Sequence, residues 1–302
     1  MPERIIVATD GGAASHTALR WAAERAVTRP VLITAVSVEE TDWLPVGADA
    51  TPYRRAYLGA LDTARIIIET ASPGTGVERV LLQGSPEDAL AKASESADLL
   101  VIGSKHASAL ANAFHSTLSL QLASRTRCAM VVVPVEWRAD GGVDGEIVVA
   151  LDTDESSADA VDRAAEEAEI LGCRLHIVHS WSIPTTVTIG EFISPESYDS
   201  LRAAHHEVLM DAVQRARAEH PTLHVSQTLQ VGDPAALVGH IAAHARLLVV
   251  GTHHRGLVGS LVLGSVSHDL LVAMPCPIMV VPGDPTHRGT LDPVVAGAQA
   301  GR

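Results

Sequence analysis

Short unbroken runs of Val, Ile, Leu and Ala recur along the chain, and stretches with helical spacing separate them. In the first half the runs predict strands near 4–9, 31–38, 77–83, 98–103 and 128–133. The intervening stretches predict helices near 14–28, 54–71, 86–95 and 116–125. Leu19, Ala22, Ala23 and Ala26 fall on one face of the first helix, as a buried stripe requires. Strands that are apolar on both sides belong to parallel sheets covered by helices on both faces. Strict alternation of strand and helix predicts an open, doubly wound α/β fold.

The same pattern then starts again. Arg4-Ile5-Ile6-Val7-Ala8-Thr9-Asp10 returns as Glu146-Ile147-Val148-Val149-Ala150-Leu151-Asp152, an offset of 142. The buried stripe of the first helix returns as Val161, Ala164, Ala165 and Ala168. Gln83-Gly84-Ser85-Pro86 returns as Val231-Gly232-Asp233-Pro234, now at offset 148. Leu99–Gly103 returns as Leu247–Gly251, and Cys128–Pro134 as Cys276–Pro282. The shift of offset places about six extra residues near the second helix of the second copy. The reading is therefore two tandem five-stranded parallel sheets with helices on both faces. The first domain is 1–138, the linker 139–145 and the second domain 146–284. Residues 285–302, rich in Gly, Pro and Ala, are expected to be a disordered tail. The apolar last strands, Met130–Val133 and Ile278–Val281, are edges that need covering, and the two copies are expected to pack on each other.

Composition narrows the partners. The formal net charge of −14 argues against nonspecific binding to nucleic acid or anionic lipid. No apolar run is long enough to span a bilayer, and Met1-Pro2-Glu3-Arg4 leads straight into the first strand without a signal-like stretch. A cytoplasmic protein is expected, and association of two chains into a homodimer. Cys128, Cys173 and Cys276 fit no metal spacing and read as buried thiols.

Candidate chemistry gathers at the carboxyl ends of the strands, where open α/β sheets bind ligands. Asp10 and Asp152 close the first strand of each copy. Each is placed to accept hydrogen bonds from a ribose or base, or else to cap the following helix. The loop after strand four of the second copy runs from Gly251 to Gly264-Ser265. Glycines there let backbone amides approach an anion, and Gly264-Ser265 opens a helix whose free amides favour phosphate. The bland alternative is a turn that admits close helix–sheet packing. Val38 and Ser180 end the second strands and offer backbone groups and shape. His253-His254, the pair His240 and His244, and His205-His206 read as surface residues, not metal ligands. Lys105 has no Walker pattern around it, and no GxGxxG follows the first strand.

On Gly251, His254, Gly264 and Ser265 the chain resembles a tandem universal stress protein. That family's signature is glycine, two residues, glycine, nine residues, then glycine with Ser or Thr. His254 stands where the family has its second glycine. The resemblance extends to about residue 284. It implies ATP as ligand, with Mg²⁺ as an optional companion ion. It implies base and ribose near Asp152 and Ser180, and phosphates on Gly251, Gly264 and Ser265. The corresponding places in copy one are Asp10, Val38, Gly103, Ser116 and Thr117, with His106 and Ser116 replacing two glycines. Asp154 would add negative charge near a polyphosphate in copy two, so the copies are expected to differ in affinity. The leading reading is an ATP-binding regulatory or stress-adaptation protein. The alternatives are a nucleotide-free interaction module of the same fold and a slow ATPase. Neither copy shows a nucleophile, base and orienting group together.

Overall fold

Every inner strand buries side chains on both faces, and this decides the architecture. Ile5 and Val7 enter one hydrophobic layer and Ile6 the other; Ile147 and Val149 are split from Val148 in the same way. The computed structural model describes residues 1–40, 49, 51–104, 117–138, 145–153, 156–182, 195–254 and 261–283. The first half runs β1 (Glu3–Ala8), α1 (Ala13–Thr28), β2 (Val31–Glu39), α2 (Thr51–Ala71), β3 (Val77–Gln83), α3 (Pro86–Ser94), β4 (Leu99–Ser104), α4 (Thr117–Ala123) and β5 (Ala129–Pro134). The second runs β6 (Glu146–Leu151), α5 (Ser156–Leu171), β7 (Arg174–Trp181), α6 (Pro195–Glu219), β8 (Val225–Val231), α7 (Pro234–Ile241) and β9 (Leu247–Gly251). It ends with β10 (His253–His254), β11 (Leu261–Val262), α8 (Ser265–Ala273) and β12 (Ile278–Val281).

The strand order is β3-β2-β1-β4-β5-β12-β9-β6-β7-β8. Within each half the strands of this sheet are parallel; β5 and β12 meet antiparallel, with Met130 opposite Val280 and Val132 opposite Ile278. The two sheets expected from the repeat are thus one ten-stranded sheet, joined through the apolar edges of the last strands. Pairing removes those edges from water and satisfies their amides and carbonyls.

Local chemistry repeats with the fold. Pro86 and Pro234 open α3 and α7 at a position where a missing N–H costs nothing. Ser85 caps the first helix through the Asp88 amide, and Asp233 caps the second through the amides of Ala235 and Ala236. α6 has 25 residues against 21 in α2, which takes up part of the insertion. One element was not expected from the sequence: β10 and β11 form a small antiparallel ladder inside the glycine loop of copy two. The tail over 285–302 lies outside the described residues.

A buried ion cluster crosses the junction between halves. Arg25 of α1 reaches Glu3 at 2.6 Å and Glu167 of α5 at 2.5 Å. Arg29 and Arg163 also bond Glu167, each at 3.0 Å. Burial alone would raise the Glu167 carboxyl, but hydrogen bonds and charge from Arg25, with Arg163 and Arg29, hold it at about 2.

Candidate functional site

Strand order reverses between β1 and β4, and a crevice opens there at the carboxyl ends. In copy one it is a cleft of about 330 Å³. One rim carries Thr9, Asp10 and Ser15; the other carries Gly103 and Ser104. Val36, Val38, Leu90 and Ile102 supply an apolar wall, and Tyr57 of α2 stands at the mouth. The structure therefore brings together Asp10, Val38 and Gly103 from three strands. Ser116 lies outside the described residues, and Thr117 begins α4. A larger hollow, about 710 Å³, lies under α3 between Arg4, Leu32 and Lys92, away from these strand ends.

Asp10 does not cap α1. Gly12 holds the cap position and makes no side-chain bond. Instead Asp10 Oδ1 accepts from the Gly12 amide and from the Ser15 hydroxyl, each at 2.8 Å. Thr9 Oγ1 donates to Ser15 Oγ at 3.2 Å and accepts from the Gly11 amide at 3.3 Å. This knot fixes one carboxylate oxygen towards the turn. In copy two, Asp152 Oδ1 accepts from the Thr153 amide at 2.7 Å, while the Asp152 amide donates to Ser157.

Gly103 has a packing role. A Cβ on it would lie 2.1 Å from the Ala14 carbonyl oxygen and 2.8 Å from the Ser15 amide nitrogen. Only glycine lets the first turn of α1 sit this close to β4. In copy two the Ser267 hydroxyl donates to the Gly251 carbonyl at 3.0 Å, tying the first turn of α8 to the end of β9. Gly264 is the cap residue of α8, with no side-chain cap, and Ser265 is exposed at the helix start. Ser180 Oγ donates to the Gly232 carbonyl at 3.3 Å.

Two features escaped the sequence reading. Ser37 is 1% exposed, lines the copy-one cleft, and its hydroxyl has no hydrogen-bond partner. Its only signal was a hydroxyl on the strand face shared by Ile33 and Ala35. The second corrects the expectation that His205 lies on the surface with His206. His206 is exposed, but His205 turns inward and its Nδ1 lies 2.9 Å from Nε2 of buried His179. His205 also stacks on Trp181, with ring centroids 4.7 Å apart. Burial, then the neighbouring His179, lowers the His205 pKa, and Asp152 opposes the shift. Among the described residues no three His, Cys, Asp or Glu side chains stand close enough to hold a metal ion. No described helix is long and apolar enough to cross a membrane.

A repeated five-stranded parallel unit, with a crevice at the switch point of the first copy, defines a tandem doubly wound α/β protein. The Universal stress protein family model matches this chain twice, over residues 1–134 and 145–282, and the chain belongs to that family. The universal stress protein Rv1996 of Mycobacterium tuberculosis is 26% identical, over 93% of this chain and 96% of its own length. A universal stress protein from Archaeoglobus fulgidus superposes with a TM-score of 0.69 at 19% identity, covering 92% of this chain and 98% of the other. A shorter protein of that organism, solved in complex with dAMP, covers 46% of this chain at a TM-score of 0.35 and 23% identity.

Proposed function

We propose that the chain binds an adenine nucleotide at the carboxyl edge of its sheet, and that the bound state sets its conformation or partner. The observation that carries this reading is the copy-one cleft. It stands at the switch point, its wall of Val36, Val38, Leu90 and Ile102 suits an apolar heterocycle, and the Asp10 carboxylate on its rim suits sugar hydroxyls. About 330 Å³ is at the lower end of the range of roughly 300–1,000 Å³ usual for small-molecule sites. The described lining has no Lys, Arg or His, so it suits the uncharged end of a nucleotide. Phosphates would lie beyond it, towards Thr117 at the start of α4, the place held in copy two by Gly264-Ser265 with Gly251 supporting the turn. Mg²⁺ would then be held through phosphate oxygens, not by a protein cage. ATP, with or without Mg²⁺, is the ligand proposed, with Thr117 near the phosphate end of copy one; in copy two Asp152 and Ser180 stand at the corresponding strand ends.

The same reading makes the protein cytoplasmic and a homodimer, and makes binding, not turnover, its working step. Two measurements test it. Small molecules released by denaturing the freshly purified protein should include an adenine nucleotide by mass spectrometry. Calorimetry with MgATP should show saturable heat. An empty protein that takes up no ATP at millimolar concentration would end this reading in favour of a nucleotide-free interaction module.

A further inference from the structure

We infer that each chain takes one nucleoside moiety, in copy one, with the buried Ser37 hydroxyl bonding the base, and that an imidazole pair fills the corresponding place in copy two. The inference rests on the nucleotide reading above and goes further by assigning the copy and the residue.

The two halves superimpose position by position at this point. β2 and β7 are related by the offset of 142, so Ser37 corresponds to His179 and Glu39 to Trp181. The ends of α2 and α6 are related by 148: Ser72 and His220 repeat the same amide bonds, to Ile68 and Ala216. Tyr57 therefore corresponds to His205.

In copy one this place borders the cleft. The Ser37 side chain is buried without a partner, and Tyr57 lines the mouth of the cleft. A buried hydroxyl without a partner costs about 1–3 kcal/mol in desolvation. A ligand atom that bonds it recovers that cost. Hydroxyls both donate and accept, so either kind of base edge can be met. The surroundings decide for a base over a phosphate, because the cleft that Ser37 lines has Val36, Val38 and Leu90 as its apolar wall, across the strand from Ser37, and its one lining charge is negative.

In copy two the same place holds rings bonded to one another. His179 is 1% exposed, and both its ring nitrogens are satisfied: Nδ1 lies 2.8 Å from the Leu151 carbonyl and Nε2 lies 2.9 Å from His205. Since a carbonyl only accepts, Nδ1 carries the proton and Nε2 accepts from His205. Trp181 closes the stack on the other side of His205, and Tyr198 packs on Trp181. Nothing at that place awaits a ligand. Copy two has its own unpartnered buried hydroxyl, Thr252. It stands at the end of β9, separated from β7 by β6, and so belongs to the loop end of the site and not the base end.

Calorimetry of the full-length protein with adenosine and with ATP tests this. The expected stoichiometry is one per chain for both probes. Ser37→Ala should weaken both by about fivefold, the effect of one lost hydrogen bond. The ligand-free Ser37→Ala protein should melt no lower than the parent, because an unpartnered hydroxyl has been removed. His205→Ala should leave the affinity and stoichiometry unchanged. Two nucleosides per chain would overturn the inference and leave the nucleotide reading intact. So would Ser37→Ala binding with parental affinity, or binding lost in Asp152→Ala but not Asp10→Ala. No binding of either probe by the parent would overturn both.

Discussion

Arg25 and Glu167 hold the same position in the two copies, exactly one repeat offset of 142 residues apart, and they are bonded to each other at 2.5 and 2.7 Å. In a pairing of two identical domains this position would face itself. Two arginines or two glutamates would then meet in a buried place. Duplication within one chain lets the position diverge into opposite charges, and the ion pair then favours one copy against the other. Breaking such a pair leaves an uncompensated buried charge, which costs about 3–5 kcal/mol. Glu167→Ala should therefore lose about that much stability in urea denaturation, since Arg25, Arg29 and Arg163 keep only Glu3 as a shared partner. The double variant Arg25→Ala with Glu167→Ala should cost less than the two single variants summed. Strict additivity would show that the pairing itself contributes nothing.

Acid should weaken the same junction. The Glu167 carboxyl is depressed from 4.5 to about 2 in the folded protein, so the unfolded chain binds its proton at higher pH. Its contribution is complete above pH 4.5 and is lost as pH falls towards about 2. Glu3 is lowered as well and acts in the same direction. Unfolding free energy measured across this window should fall steeply for the parent and less steeply for Glu167→Gln.

The sheet was legible because its strands are apolar on both faces, and parallel strands under two helical layers are the setting that demands this. The joining of halves was legible in Met130–Val133 and Ile278–Val281, whose apolar edges had to be covered. The ion cluster was not. Arg25 and Glu167 sit on helices where charges usually face water, and only the crossing of α1 and α5 at the junction buries them. Ser37 reads as one hydroxyl in an apolar run, and the cleft it lines is completed by residues of α2 and α3. His205 reads as surface because its partner, His179, belongs to another element. Asp10, Val38 and Gly103 line one cleft, and close packing against α1 requires the glycine at 103.

That packing gives a direct expectation. Gly103→Ala would put a methyl 2.1 Å from a backbone oxygen, which no rotamer can relieve. α1 must move away from β4, and overpacking of this type costs about 1–3 kcal/mol. Thermal unfolding should show the loss. Because Asp10 and Ser15 ride on the same turn, nucleotide affinity should fall with it. Gly59→Ala, whose added Cβ meets nothing within 4 Å, is the control and should leave the melting temperature unchanged or raised.

The three thiols should be inert in the native state. All are buried and free. Burial pushes Cys128 up to about 11 and Cys276 up to about 12, and Cys173 is raised too. The reactive form is the thiolate, so labelling at pH 8 should be slow until denaturant is added. Rapid labelling of Cys276 in the folded protein would show that the layer between β12 and α8 opens.

The imidazole pair makes the last prediction, and its sign follows from geometry. His205 donates its one proton from Nδ1 to His179 Nε2, and a second proton on His205 would place a cation in a half-buried site beside His179. Burial and His179 lower the His205 pKa from 6.5, while Asp152 works against them. The unfolded chain therefore takes up this proton first as pH falls. Stability from the pair is complete above pH 6.5 and declines as pH drops through 6.5 towards the lower folded value. Nuclear magnetic resonance titration of the ring carbons should place His205 below its ordinary value of 6.5. Asp152→Asn removes the opposing charge and should move His205 lower still. A rise in that variant would mean that the Asp152 carboxylate does not act on the ring, and that the strand-end aspartate of copy two is turned away from the place where Ser37 and Tyr57 stand in copy one.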